Sequence, residues 1–207
     1  MPKGTLFILS GPSGSGKDTV LGRLLARHPE VMLSISSVTR PMREGEKEGE
    51  KYHFISREAF QQLLEEDALL EYNVYLDNYY GTPRRPVEEA LAAGRDVILE
   101  IDVNGARKVR RLLPHAVGVF IMPPSLEVLE QRLSGRGTED EGTVHKRLRE
   151  AVGEIAQAVH YDYIVVNDDL DQAVDALSAV IVSERARFSH NKYIIDEVLQ
   201  DVESRNW

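Results

Sequence analysis

A short apolar run, Leu6-Phe7-Ile8-Leu9, is followed after one serine by Gly11-Pro12-Ser13-Gly14-Ser15-Gly16-Lys17-Asp18-Thr19. Apolar residues at helical spacing, Val20, Leu21, Leu24 and Leu25, come next. A strand that stops in a glycine-rich turn and restarts as a helix is the context a phosphate-binding P-loop requires. Glycines let successive backbone N–H groups curl around phosphate oxygens without Cβ clashes. The helix N-terminus adds positive potential, and Lys17 is placed to reach the terminal phosphates. One position departs from the pattern: where Ser or Thr offers a hydroxyl to Mg²⁺, this chain has Asp18, with Thr19 one place later. Two readings of Asp18 stand at this point: it approaches the metal directly or through water, or it only caps the helix, where acidic residues are favoured.

The remaining apolar runs, Val97 to Ile101, Val117 to Met122 and Ile164 to Val166, read with Leu6 to Leu9 as buried parallel strands separated by helical segments. That alternation predicts an α/β fold, a parallel sheet flanked by helices. Pro86 is expected at a first helical position and Gly94 just past that helix's end. Val144, Leu148, Val152, Ile155 and Val159 predict one long amphipathic helix. Between Ser34 and Pro83 the rhythm breaks into charge, Tyr and Gly, so this stretch is expected to be an inserted mixed α/β lobe, with one helix around Phe60 to Leu64. Ser134 to Gly142 is polar and punctuated by glycine, as a mobile lid is.

At 207 residues this is one domain. A formal charge of -9 disfavours nucleic acid or an anionic membrane as the main partner. No cysteine is present for disulfides, thiol catalysis or thiolate metal sites, and no apolar run reaches the roughly 18 residues that span a bilayer. A cytoplasmic protein is expected.

Further candidate residues lie outside the P-loop. Ser36-Ser37-Val38-Thr39-Arg40-Pro41-Met42-Arg43 has two arginines three apart beside hydroxyl groups, an anion clamp. Glu71-Tyr72 and Asn78-Tyr79-Tyr80-Gly81-Thr82 follow. Glu100 and Asp102, two apart at the end of a strand, are expected to point to one face, at the sheet edge where ligands bind. Such carboxylates can hold metal-bound water or accept from a ligand's N–H groups.

Taken in order, the P-loop, Ser-Ser-Val-Thr-Arg-Pro-Met-Arg-Glu-Gly-Glu with the later Tyr-His-Phe, Asn-Tyr-Tyr-Gly-Thr, Leu-Glu-Ile-Asp-Val-Asn-Gly-Ala-Arg, Pro-Pro-Ser, Gly-Arg-Gly-Thr and Val-Asn-Asp-Asp-Leu make the chain resemble the guanylate kinases over about residues 4–190. The resemblance implies ATP:GMP phosphotransfer, also open to dGMP, in purine nucleotide metabolism, with Mg²⁺ as cofactor. It implies that Ser36, Arg40, Arg43, Glu46, Tyr52, Glu71, Tyr80, Gly81, Thr82, Glu100 and Asp102 surround GMP. Gly11 to Thr19 with Arg132, Arg136, Asn167 and Asp168 are implied to bind ATP, and Lys17, Arg43, Arg136 and Arg147 to act on the transferred phosphoryl group. Asp18 and Glu100 are the metal candidates.

The chain is expected to divide into a core (1–33, 84–133 and 148–190), a GMP lobe (34–83), a lid (134–147) and a tail (191–207) whose Ile194, Ile195, Val198, Leu199 and Val202 predict an amphipathic helix that packs on the core or on another subunit. Two further departures are Lys51, where an acidic residue is common, and Val103-Asn104 after Asp102. The Gly-Lys-Asp P-loop also resembles ribose 1,5-bisphosphate phosphokinases, and a silent binding module is a third reading.

Overall fold

The computed structural model describes residues 3–134 and 141–205. The strands are β1 (Leu6–Ser10), β2 (Met32–Leu33), β3 (Ser36–Val38), β4 (Tyr52–Phe54), β5 (Leu69–Tyr75), β6 (Asn78–Pro83), β7 (Val97–Glu100), β8 (Val117–Met122) and β9 (Tyr163–Val166). The helices are α1 (Lys17–Arg27), α2 (Arg57–Glu65), α3 (Arg84–Ala92), α4 (Val103–Leu112), α5 (Leu126–Ser134), α6 (Glu141–Ile155), α7 (Leu170–Arg185) and α8 (Phe188–Ser204).

Five strands form a parallel sheet in the order β2-β7-β1-β8-β9. Successive side chains of a strand point to opposite faces, and β1 uses both. Phe7 and Leu9 pack with Leu21, Leu24, Val174, Leu177 and Ile181 of α1 and α7. Leu6 and Ile8 pack with Val87, Ala106 and Val109 of α3 and α4. A central strand covered on both sides has no polar face, which is why it appears in the sequence as an unbroken apolar run.

A second, mixed sheet, β4-β3-β6-β5, is built wholly from residues 36–83. Its core is Phe60 of α2, fully buried, with its ring 5.2 Å from that of Tyr79 and 6.5 Å from that of Tyr72. Gly81 faces this ring closely; an added Cβ there would lie 2.9 Å from Phe60. Ser56 caps α2 by accepting from the Ala59 N–H at 3.1 Å.

The structure corrects several expectations. β2 is two residues long, too short to show a periodicity. Pro86 is the third residue of α3, because Arg84 N–H donates to Ala68 O and the helix starts there. The helix from Val144 does not reach Val159: α6 ends at Ile155 and a 3₁₀ turn covers Ala156–His160. Its inner face runs Val144, Leu148, Ala151, Ile155 against α5, while Val152 and Val159 are exposed. The small Ala151, not the larger valine beside it, fits the close approach of the two helices. Ile164 and Val166 are also exposed. They lie on an edge strand, where α7 covers only the face carrying Val165.

Phe60→Ala empties the centre of the second sheet, and is expected to lower unfolding free energy by about 3–5 kcal/mol in a denaturant titration. A loss under about 1 kcal/mol would contradict this account of the packing.

Candidate active site

The ends of β1, β7, β8 and β9 meet at one edge of the parallel sheet, and the loop from Gly11 to Gly16 caps it. Gly14 and Gly16 have φ of 88° and 80°, the left-handed region open to glycine. Gly11 is equally constrained: an added Cβ would lie 2.5 Å from Ile121 O. Asn167, buried just beyond β9, donates its side-chain amide to Ser15 O at 2.7 Å. Arg132 of α5 donates to Asn167 O at 3.0 Å. The two residues therefore brace the loop from beneath. Asp168 is exposed in the turn that follows. Arg147 of α6 donates to the Ser13 hydroxyl at 2.8 Å, from above the loop.

Four charges cluster where α1 leaves the loop. Lys17 Nζ donates to Asp18 at 3.2 Å and to Glu100. Lys51 Nζ lies 3.3 Å from the same Asp18 oxygen and 2.9 Å from Glu100 Oε2. Hydrogen bonding with Glu100, and then the ammonium groups of Lys17 and Lys51, hold the Asp18 carboxyl well below the usual range. Burial disfavours the Lys51 charge, but Glu100 more than offsets this and raises its pKa.

On the second sheet, Glu71 is buried and accepts from the Thr82 hydroxyl at 2.7 Å. Burial, with the Asp102 charge adding to it, pushes the Glu71 carboxyl up to about 7. Asp102 caps α4, accepting from Gly105 N–H at 2.7 Å, and also accepts from the Asn73 side chain. Gly105 joins the two carboxyl groups: an added Cβ there would lie 2.7 Å from Glu71 Oε2. Arg40 is buried and makes a two-pronged bond to Glu46, at 2.7 and 2.6 Å, with its guanidinium 5.1 Å from the Tyr52 ring centre. The Glu46 carboxyl is held down at about 2 by that bond and by the Arg43 N–H. Tyr80 borders the same pocket, 6.2 Å from Tyr52 ring to ring. The Arg43 side chain is exposed and makes no hydrogen bond or ion pair among the described residues. Ser36 opens β3 beside Lys51, whose carbonyl accepts its N–H.

The structure separates Glu100 from Asp102, which the sequence placed on one face. β7 ends at Glu100, so the two-residue alternation stops there. Glu100 turns to the lysines and Asp102 to the first turn of α4. Glu46 and Asn167 are engaged by the protein itself, Glu46 with Arg40 and Asn167 with the loop. Arg136 lies outside the described residues. Three residues that sequence reasoning did not place here join the site. Lys51 was visible only as a departure beside Tyr52. Asn73 holds Asp102. Glu154 of α6 accepts from the Ser13 N–H, and its carboxyl is raised mainly by burial. Glu154 shows only as a polar residue on the helix that carries Arg147.

Comparison with known proteins shows the family. The family model described as guanylate kinase matches residues 3–184. A guanylate kinase of Synechocystis sp. is 51% identical over 182 residues, covering 88% of this chain and 95% of the relative. One of Neisseria gonorrhoeae is 48% identical over 199 residues, 96% and 97% of the two chains. The crystal structure of guanylate kinase from Anaplasma phagocytophilum superposes with a TM-score of 0.76 at 33% identity, covering 92% of this chain and 90% of that one.

Because the fold raises the Glu71 pKa from 4.5 to about 7, ionising this group costs stability. The cost is absent below the unfolded value, grows as pH rises, and is complete above the folded one. Glu71→Gln should therefore be more stable than the parent at about pH 8, by up to roughly 3 kcal/mol, with little difference at about pH 4.5. Equal melting temperatures at the higher pH would contradict the burial argument.

Proposed function

The chain belongs to the guanylate kinase family and transfers a phosphoryl group from ATP to GMP, and from that premise we propose how its side chains divide the work. The observation that carries the reading is the pair of carboxyl groups, Glu71 and Asp102, gathered at Gly105. Guanine presents N1–H and N2–H₂ donors on one edge, and these two groups accept them. Thr82 spends its proton on Glu71, so Ser36 is the donor to O6. Adenine reverses the polarity at position 6 and has no 2-amino group, leaving buried acceptors without partners. A base-free sugar phosphate would leave them equally unpaired.

Arg40, Arg43, Tyr52 and Tyr80 hold the 5′-phosphate of GMP, with Gly81 setting the close approach behind Thr82. Glu46 orients Arg40 and fixes the backbone at Arg43. Arg43, exposed on its loop, is the cation that moves onto the phosphate. On the ATP side the N–H groups from Gly11 to Thr19 cradle the phosphates. Asn167 and Arg132 keep that loop in shape, and Asp168 borders the base. Lys17, Arg136 and Arg147 complete the charge around the transferred group, whose reaction depends on alignment and electrostatics. The attacking phosphate oxygen of GMP is ionised near neutral pH, so no base has to remove a proton.

Two carboxylates converging on one pair of ammonium groups fit Mg²⁺, which uses one or two carboxylates together with substrate phosphates. Asp18 and Glu100 would hold it, directly or through water. Bound there it supplies charge neutralisation to the phosphates.

The second sheet, inside residues 34–83, supports a GMP lobe on a core of 1–33, 84–133 and 148–190. α6 runs unbroken through the proposed end of the lid (134–147). The exposed apolar side of α8, with Ile194, Ile195, Val198 and Leu199 in the tail (191–207), supports contact with a second copy. Among the described residues no helix is long and apolar enough to cross a membrane. ATP and GMP as substrates fit a cytoplasmic protein.

Steady-state kinetics with GMP and AMP test this reading. The expected ratio of kcat/KM is on the order of 10⁴ in favour of GMP, and Glu71→Gln should lower kcat/KM for GMP by about 10–200-fold. In the parent, kcat/KM for GMP should rise with pH through about 7 as Glu71 ionises. In Glu71→Gln only the limb near pH 6, from the substrate phosphate, should remain. An unchanged pH profile would remove Glu71 from the guanine site.

A further inference from the structure

Lys51 is the one member of the four-charge cluster that comes from the second sheet's side of the molecule. Its backbone is pinned to β3, where its carbonyl accepts the Ser36 N–H at 3.3 Å. Its ammonium reaches across to the start of α1, contacting the same Asp18 oxygen as Lys17 and the other oxygen of Glu100. The Glu100 side chain is 6% exposed, so its charge is poorly screened by water.

The P-loop pattern places a neutral hydroxyl where this chain has Asp18. That substitution puts a second negative charge beside a site that must accept a polyanion. With Lys17 alone, one ammonium would face two carboxylates, and it would have to leave both to serve the phosphates. Lys51 makes the cluster neutral.

We propose that Lys51 is a positioning residue: it carries the counter-charge of Asp18 and Glu100, so that Lys17 is released to the phosphates of ATP. The proposal rests on the phosphate-site reading above. Lys51 touches neither phosphate in this role. Its contribution depends on Asp18 being charged, and without Asp18 one lysine suffices for Glu100.

The test is a set of calorimetric titrations of the full chain with ATP in chelator, free of divalent metal. Lys51→Met should weaken ATP binding by about tenfold or more, which is about 1.4 kcal/mol or more. Lys51→Arg, which keeps the charge, should stay within about threefold of the parent. In an Asp18→Ser background the same Lys51→Met change should cost less than about threefold, because the carboxylate it balanced is gone. With Mg²⁺ present, Lys51→Met should raise KM for ATP and leave KM for GMP within about twofold.

An equal Lys51→Met penalty in both backgrounds, no penalty in the parent, or an equal rise in both KM values overturns the proposal. Lys17→Ala serves as the control. ATP binding that survives it would overturn the phosphate-site reading itself, whereas its loss together with an Asp18-independent Lys51 effect overturns only the role of Lys51. Thermal unfolding of each variant confirms that the compared proteins are folded.

Discussion

The site depends on the direction in which five strands run. Because β1, β7, β8 and β9 are parallel, their carboxyl ends lie at one edge, and three of them bring a part of the site there. β1 delivers the glycine loop, β7 delivers Glu100, and β9 delivers Asn167. Asn167 ties the loop to the sheet through Ser15 O, and Arg132 holds Asn167 in turn. The loop's backbone N–H groups can then point at a ligand with little reorganisation, since the glycines at positive φ are fixed from below. Topology places the glycine loop, and a buried amide keeps its shape.

Two kinds of electrostatic environment follow. At the cradle, charges are numerous and balance locally, although the chain as a whole carries -9. At the second sheet the decisive group is a buried carboxyl whose neutral form the fold favours. That arrangement costs stability in the absence of a ligand. The cost is carried by a small sheet with few buried apolar side chains, Phe60, Val38 and Leu69 among them.

The parts of this arrangement that depend on neighbours in sequence could be read from the chain. The P-loop, the four main strands and the helix after Lys17 are local patterns of glycine and apolar residues. Glu71, Thr82 and Asp102 were found as members of motifs, but their junction at Gly105 was not, since it joins β5, β6 and α4. Lys51 and Asp18 are 33 positions apart in number and meet only when the segment before β4, tied to β3 at Ser36, brings one against the helix holding the other. Spacing misled where a small side chain outcompeted a larger one, as Ala151 did over Val152, and where a strand ended sooner than its apolar run. At Glu100 and Asp102 that early end sent two carboxylates to different tasks.

A crystal structure with GMP and a non-hydrolysable ATP analogue bound together tests the central claim most directly. The account predicts guanine N1 and N2 within about 2.7–3.2 Å of Glu71 and Asp102 carboxyl oxygens, with the analogue's phosphates on the Gly11–Thr19 backbone. Guanine seated away from both carboxyl groups, with the phosphates still on the loop, would contradict it.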